Sequence, residues 1–344
     1  QGPLYLFSTE HIPASPKPEP DALSAWHGPD NEKRYRKEPH PTLGPDDVQY
    51  RFNTLGYRSR ECTPADGGQT LGVAVLGASE ILGIGVPQDA TVSAVFARLL
   101  GQHLERPVVD WNFGIGGTSP DYITRMLVSV LPVLRPTVVL MVFPHAARRE
   151  HIDADGKVWL FNNGLASQRR LATRLLEPER HALVQASMSL ASESNDAVNL
   201  YKNYLACAAL CEQHGAMWLF SATRDSFLDE IAHLVDPAHR VQPGLGDLKI
   251  SFGDRNLAVG RDMHHPGIGP HREMAALFLA TLEACYADRL RLLEPATATD
   301  LVVIGRGRLI AACTTDEFIE RSSKRSVRVV GPDGAALTAM IVGA

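Results

Sequence analysis

The feature that most constrains this chain is an alternation that begins near residue 71, where short, wholly apolar runs are separated by segments of helical spacing. Leu71 to Leu76, Pro107 to Trp111, Thr137 to Phe143 and Met217 to Phe220 are the apolar runs. A strand apolar on both faces has to be covered on both faces, which is the pattern of a buried parallel sheet. Val92 to His103 carries its large apolar residues at Val92, Val95, Phe96, Leu99 and Leu100, the spacing of one helix face. Ser119 and Pro120 supply an N-cap and a first-turn proline for the next helix. Residues from about 166 to 214 read as mostly helical, and Glu273 to Leu293 as the last helix of the body. Strands alternating with helices imply parallel pairing through right-handed crossovers. The expected fold is therefore α/β, a three-layer α/β/α sandwich on a mostly parallel sheet.

The flanks differ in texture. Residues 1–47 form a proline-rich arm (Pro13, Pro16, Pro18, Pro20, Pro29, Pro39, Pro41, Pro45) that cannot hold long helices or central strands. It is expected either to wrap the body or to stay loose. Its first three residues, Gln1-Gly2-Pro3, have the look of a cleaved purification tag. The body is expected over 48–295. Beyond it, 296–344 reads as a small α+β appendage, with two strands in 300–310, a helix from Thr315 to Arg321, a strand from Ser326 to Val330 and a turn at 331–334. With 44% hydrophobic and 21% charged residues in 344, the chain can bury a full core, which excludes global disorder. A net charge of -5 argues against a nucleic-acid partner. No apolar run reaches the roughly 18 residues of a membrane helix, and no signal-peptide layout is present, so a cytoplasmic protein is expected. The five cysteines are odd in number and lack a Cys-x-x-Cys pair, which favours reduced thiols. Oligomeric state is not legible in the sequence.

Ligands of an open parallel sheet bind beyond the carboxyl ends of its strands. After the first strand comes Gly77-Ala78-Ser79-Glu80, after the second the glycine-rich loop 112–119, and after the third Phe143-Pro144-His145. Late in the body comes Asp262-Met263-His264-His265-Pro266-Gly267. A serine hydroxyl becomes a nucleophile when a base takes its proton, histidine suits that role near neutral pH, and a carboxylate fixes the imidazole tautomer. Backbone N–H groups must then face the oxyanion, and glycine lets a loop turn them inward.

These motifs resemble the SGNH/GDSL hydrolases over roughly residues 48–290. Gly77-Ala78-Ser79-Glu-Ile-Leu-Gly83 is similar to the family's first block, with Ser79 at the nucleophile. Asn112-Phe-Gly-Ile-Gly-Gly117 resembles the second, with Gly117 as oxyanion donor. Asp262-Met-His-His265-Pro266 fits the last, so that Asp262 orients His265. Tyr50-Arg-Phe-Asn-Thr-Leu-Gly-Tyr-Arg58 resembles the lead-in of many bacterial members. The resemblance implies a flavodoxin-like sheet and a serine hydrolase that cleaves an acyl ester through an acyl-enzyme, with Ser79 and Gly117 N–H groups as the oxyanion hole. It implies a small-molecule acyl substrate and neither a metal nor an organic cofactor. Acyl transfer in small-molecule biosynthesis by the same three residues is the alternative outcome. A catalytically silent binding or scaffold protein is the alternative of another class.

Two positions depart from the family pattern. Ala78 stands where the family has an aspartate. The third block, Gly-x-Asn-Asp with its oxyanion asparagine, is replaced by Phe143-Pro144-His145-Ala146-Ala147-Arg148. Either His145 supplies a substitute donor, or Ser79 and Gly117 act alone. Asn112 and Arg148 are the other candidates for the pocket, and Arg148 would suit a substrate carboxylate or phosphate. Taken singly, each residue has a plainer reading. Ser79 would be a turn serine, Asp262 a cap, His265 a surface histidine and Arg148-Arg149-Glu150 a solvated charge cluster. Their order, each after a suitable element, is what favours a site. His264 lacks the three-residue spacing from Asp262 and reads as a structural or pocket-wall residue. The loop 112–119 lacks Gly-x-Gly-x-x-Gly spacing, so a dinucleotide is not indicated, and no metal-ligand spacing appears. Residues 297–344 resemble the tail of an ABC-transporter ATPase subunit. The chain has no Gly-x-x-x-x-Gly-Lys-Ser/Thr loop, so ATP hydrolysis is not expected.

Overall fold

Proline prevents long elements in the arm, yet short ones form between the prolines. Leu23–Ser24 (β1) pairs antiparallel with Tyr50–Arg51 (β2). Asn31 caps the short helix Glu32–Lys37 (α1) by accepting the Arg34 N–H at 3.0 Å. The computed structural model describes residues 22–65, 70–154, 156, 158–162, 182, 186, 192–294, 300–305, 308–314, 327–330 and 336–339. The tag-like start, most of the stretch 163–191, the helix expected over Thr315 to Arg321 and the turn at 331–334 lie outside the described residues.

The apolar runs become four parallel strands: Leu71–Gly77 (β3), Val108–Gly114 (β4), Val138–Phe143 (β5) and Met217–Ala222 (β8). Their order is β4-β3-β5-β8, which puts β3 and β5 in the centre. Alternate residues point to opposite faces. Ala74, Leu76, Val139, Met141, Trp218 and Phe220 enter one apolar cluster, and Val73, Val75, Val138, Leu140, Met217 and Leu219 enter the other. The helices Pro120–Leu134 (α4) and Glu193–Gln213 (α5) cover the first face. The helices Val92–His103 (α3) and Ile268–Arg291 (α8) cover the second. Shorter helices occupy the connections: Ser79–Leu82 (α2), Leu245–Ser251 (α6) and Arg255–Ala258 (α7). This is the three-layer α/β/α sandwich. Ser119 caps α4 through the Tyr122 N–H at 3.3 Å, with Pro120 at the first helical position.

Three features near the site differ from the sequence reading. β4 continues to Gly114 because Val75, Leu76 and Gly77 of β3 pair with Asn112, Phe113 and Gly114. The expected loop from 112 therefore begins at Ile115. α8 begins at Ile268, five residues before Glu273. An antiparallel hairpin, Arg148–Ile152 (β6) with Val158–Asn162 (β7), departs from expectation, because Arg-Arg-Glu-His carries no apolar alternation.

The early start of α8 buries His271 in its first turn. The ring Nδ1 accepts the Val92 N–H at 3.1 Å, so the proton sits on Nε2. Burial, then the charges of Arg58 and His265, hold its pKa down to about 3, against a small upward pull from the Pro266 carbonyl. The unfolded chain takes up this proton below about 6.5, whereas the native protein refuses it until about 3, so the stability contribution is complete above 6.5 and declines as pH falls. Going from pH 7 to pH 5 is expected to remove about 2 kcal/mol through His271 alone. Urea midpoints at both pH values for the wild type and His271→Asn, which keeps an acceptor but does not titrate, measure it. Equal pH dependence in the two proteins would discard this account.

The chain divides into two compact units, Gln1–Leu293 and Glu294–Ala344. In the second unit, Asp300–Gly305 (β9) and Arg308–Thr314 (β10) form one antiparallel hairpin, and Val327–Val330 (β11) and Ala336–Ala339 (β12) form another. Cys62, Cys207, Cys211 and Cys285 are free thiols, and burial pushes Cys207 and Cys62 up to about 12. Among the described residues no helix is long and apolar enough to cross a membrane.

Candidate active site

The candidate residues gather where strand register carries them. Gly77 of β3 lies opposite Gly114 of β4, and Leu76 lies opposite Met141 of β5. Ser79 is two residues past Gly77, Gly117 three past Gly114, and His145 four past Met141, so all three follow one carboxyl edge. Ser79 opens α2 and is half-buried. The first N–H groups of a helix have no partner within it, which leaves the Ser79 N–H facing outward from α2. Gly114 allows α2 to lie against β4, since a Cβ there would stand 2.1 Å from the Leu82 nitrogen.

Gly117 is exposed at φ +79, and a Cβ on it would meet nothing within 4 Å. A positive φ of that size suits glycine. Thr118 secures the loop from beneath, donating to the carbonyls of Ile115 at 3.0 Å and Gly77 at 3.3 Å. Asn112 is not part of this open surface. It is buried, its amide donates to the Ile81 carbonyl at 2.8 Å, and its oxygen accepts the Gly114 N–H at 2.8 Å. Asn112 thus braces α2 on β4 and has no end left for a ligand.

The Asp262–His265 segment is tied to the chain that leaves α2. The Arg261 N–H donates to the Gly85 carbonyl at 2.8 Å, just beyond α2. Met263 takes φ +60, uncommon outside glycine, and this folds the chain back on Asp262. One oxygen of the buried Asp262 carboxylate accepts the N–H groups of His264 at 3.1 Å and His265 at 3.0 Å. The other accepts from His265 Nδ1 at 2.6 Å. Burial works against the charged carboxylate, but the His265 hydrogen bond and charge and the two N–H donors overcome it, so Asp262 lies below the usual carboxylate range. With Nδ1 engaged, Nε2 is the remaining nitrogen of His265. The Ser79 hydroxyl donates to Glu80 at 3.3 Å, and among the described residues no hydrogen bond joins Ser79 to His265. The structure therefore joins Asp262 to His265 directly, and ties their segment through Arg261 to Gly85, six residues after Ser79.

His145 stands after β5. Its Nδ1 accepts the Ala147 N–H at 3.1 Å, which leaves the proton on Nε2 as a donor. Burial and the Arg148 charge lower its pKa, with Asp196 opposing, so the ring is neutral near pH 7. His264 points away from this centre. Its Nε2 accepts from Arg34 of α1 at 2.7 Å, and its carbonyl accepts from Lys249 at 2.7 Å.

Sequence reading misses the support behind these groups. Arg261, fully buried beside Asp262, grips Asp30 of the arm with two hydrogen bonds at 3.1 and 2.8 Å and stacks on Trp26 at 4.1 Å. The Tyr50 hydroxyl donates to Asp30 at 2.6 Å and accepts the Gly85 N–H at 2.8 Å. Arg58 donates to the carbonyls of Gly83 at 2.6 Å and Val86 at 2.9 Å. The arm is thereby fastened to both segments that carry the site. The one available signal is the stretch Tyr50 to Arg58, which contains two of these residues. Among the described residues no group of three or more His, Cys, Asp or Glu is placed to hold a metal ion.

The structure is an α/β/α sandwich with a serine after its first central strand and an aspartate-held histidine in a segment hydrogen-bonded to the chain just beyond α2. No protein-family model and no curated protein matches the chain. Among solved structures it is similar to a lipase, Lip_vut3 from a goat rumen metagenome, with 14% identity and TM-score 0.38 over 61% of this chain and 97% of that one. It is also similar to the psychrotrophic esterase EstA from Pseudoalteromonas sp., with 14% identity and TM-score 0.37 over 62% and 97%. A family 3 carbohydrate esterase from Clostridium thermocellum matches at 14% identity and TM-score 0.36 over 66% and 100%.

Proposed function

We propose that this protein is a serine hydrolase that cleaves an acyl ester through an acyl-enzyme on Ser79. The observation that carries the reading is the 2.6 Å bond from His265 Nδ1 to the buried Asp262, in a segment whose Arg261 N–H bonds the Gly85 carbonyl just past the helix that Ser79 opens. In this reading the Ser79 side chain turns from Glu80 to His265 Nε2, and its oxygen attacks the ester carbonyl carbon while the proton passes to Nε2. The Ser79 and Gly117 N–H groups hold the oxyanion, and the neutral His145 Nε2–H takes the place of the family's asparagine as a third donor. Collapse of the tetrahedral intermediate expels the alcohol oxygen, which leaves with the proton from His265. Water then repeats the sequence against the acyl-enzyme and releases the acid.

A fluorophosphonate probe tests this without knowledge of the substrate. The wild-type chain is expected to gain one covalent adduct, mapped by peptide mass spectrometry to Ser79, and Ser79→Ala to gain none there. Absence of labelling in an active-site titration at neutral pH would reject the serine mechanism.

A further inference from the structure

Beside the loop that follows β4 stands a cation, Arg148, that no carboxylate among the described residues neutralises. Three arginines lie close together around β6. Arg125 makes a double hydrogen bond to Glu150, both at 2.8 Å, and Arg149 pairs with Asp196. Arg148 has no carboxylate partner among the described residues. Its single side-chain hydrogen bond there runs from Nη1 to the Thr118 carbonyl at a long 3.4 Å, and its buried Nε has no partner. Guanidinium groups carry five donors in a planar fork, and a buried donor left unpaired in a folded protein calls for a reason.

The position supplies the reason. Thr118 directly follows Gly117, the candidate oxyanion donor, and Arg148 is three residues from His145 on the far side of the same turn, where the Arg148 N–H donates to the His145 carbonyl at 3.0 Å. Arg148 therefore spans the two loops that would hold the oxyanion. The neighbouring acids are already committed: Glu150 to Arg125, Asp196 to Arg149, and Asp121 to Asn199 and Asn203 at 2.8 and 2.9 Å. A planar fork free to accept two oxygens beside an acyl site fits an oxyanion group that arrives with the substrate.

We propose that Arg148 selects substrates bearing an anionic oxygen group, a carboxylate or phosphate, near the scissile ester. The inference rests on the esterase reading for where the ester lies, and it goes beyond that reading in naming the substrate class. The anion would accept charge-assisted hydrogen bonds from Nε and Nη2, the same edge that Arg125 presents to Glu150, while Nη1 keeps its long contact to the Thr118 carbonyl.

Two matched pairs of esters test it, each corrected for spontaneous hydrolysis. Mono-p-nitrophenyl succinate against p-nitrophenyl butyrate places the charge on the acyl side. 4-Acetoxybenzoate against phenyl acetate places it on the leaving group. In at least one pair the wild type is expected to favour the anionic ester in kcat/KM, and Arg148→Gln to lower that preference by about 10- to 100-fold. Arg148→Lys, which keeps the charge but loses the fork, is expected to retain part of it. An unchanged preference in Arg148→Gln, or no preference in either pair, would overturn the anion site and leave the esterase reading standing. If the wild type hydrolyses none of the four, calorimetry decides, with monomethyl succinate and methyl butyrate titrated into Ser79→Ala and Ser79→Ala/Arg148→Gln. Binding of the succinate that depends on Arg148 supports the proposal, and binding that is absent or insensitive to Arg148 rejects it.

Discussion

Asp262→Asn is expected to lower kcat for ester hydrolysis by about 10⁴-fold, with a much smaller change in KM. The reason is the division of labour between its two oxygens. One accepts the N–H groups of His264 and His265, and the other accepts the Nδ1–H of His265 at 2.6 Å. An asparagine has one accepting oxygen. If that oxygen serves the two backbone donors, the amide NH₂ faces Nδ1, which must then give up its proton and accept. The proton moves to Nε2, where it blocks removal of the Ser79 proton. The imidazolium formed during reaction also loses its counter-charge. Steady-state kinetics on a p-nitrophenyl ester, with a melting curve to establish folding, measure the effect. A folded Asp262→Asn variant within about tenfold of wild type would remove Asp262 from this role.

The second large effect concerns stability. Arg261→Met is expected to cost about 3–5 kcal/mol, because it leaves the Asp30 carboxylate buried with only the Tyr50 hydroxyl and its surroundings to hold its charge. Asp30→Leu is expected to be similarly costly, because it strands the guanidinium. The double replacement is expected to cost clearly less than the sum, since the second substitution removes the charge orphaned by the first. Chemical denaturation of the four proteins closes the cycle. Additive costs would mean that the two residues act independently, against the geometry of two hydrogen bonds at 3.1 and 2.8 Å.

What can be read in the sequence, and what cannot, follows from distance along the chain. Ser79 and Gly117 stand out because each belongs to a short motif after an apolar run, and the Asp262–His265 pair stands out by its Asp-x-x-His-Pro spacing. The four parallel strands are legible because every residue in β5 and β8 is apolar or small. Asn112 misleads because nothing local reveals that its amide turns back onto the Ile81 carbonyl. Asp30 and Arg261 are invisible because each, in its own neighbourhood, has the look of a surface charge, and charged residues are seldom fully buried unless paired. The hairpin at 148–162 escapes notice for a related reason: its first strand is charged, and those charges are spent on partners in α4 and α5 rather than on solvent.

The arm's grip on Arg261 also orders events in time. Asp30 and Arg261 are 231 residues apart. At cellular translation speeds, roughly 10–50 s separate the appearance of the two at the ribosome. Through that interval the carboxylate has the Tyr50 hydroxyl and water, but not the guanidinium that pairs with it. The contact that ties the arm to the segment of Asp262 and His265 therefore forms only after the central strands have been made, and a chain released before residue 261 holds its arm without that anchor.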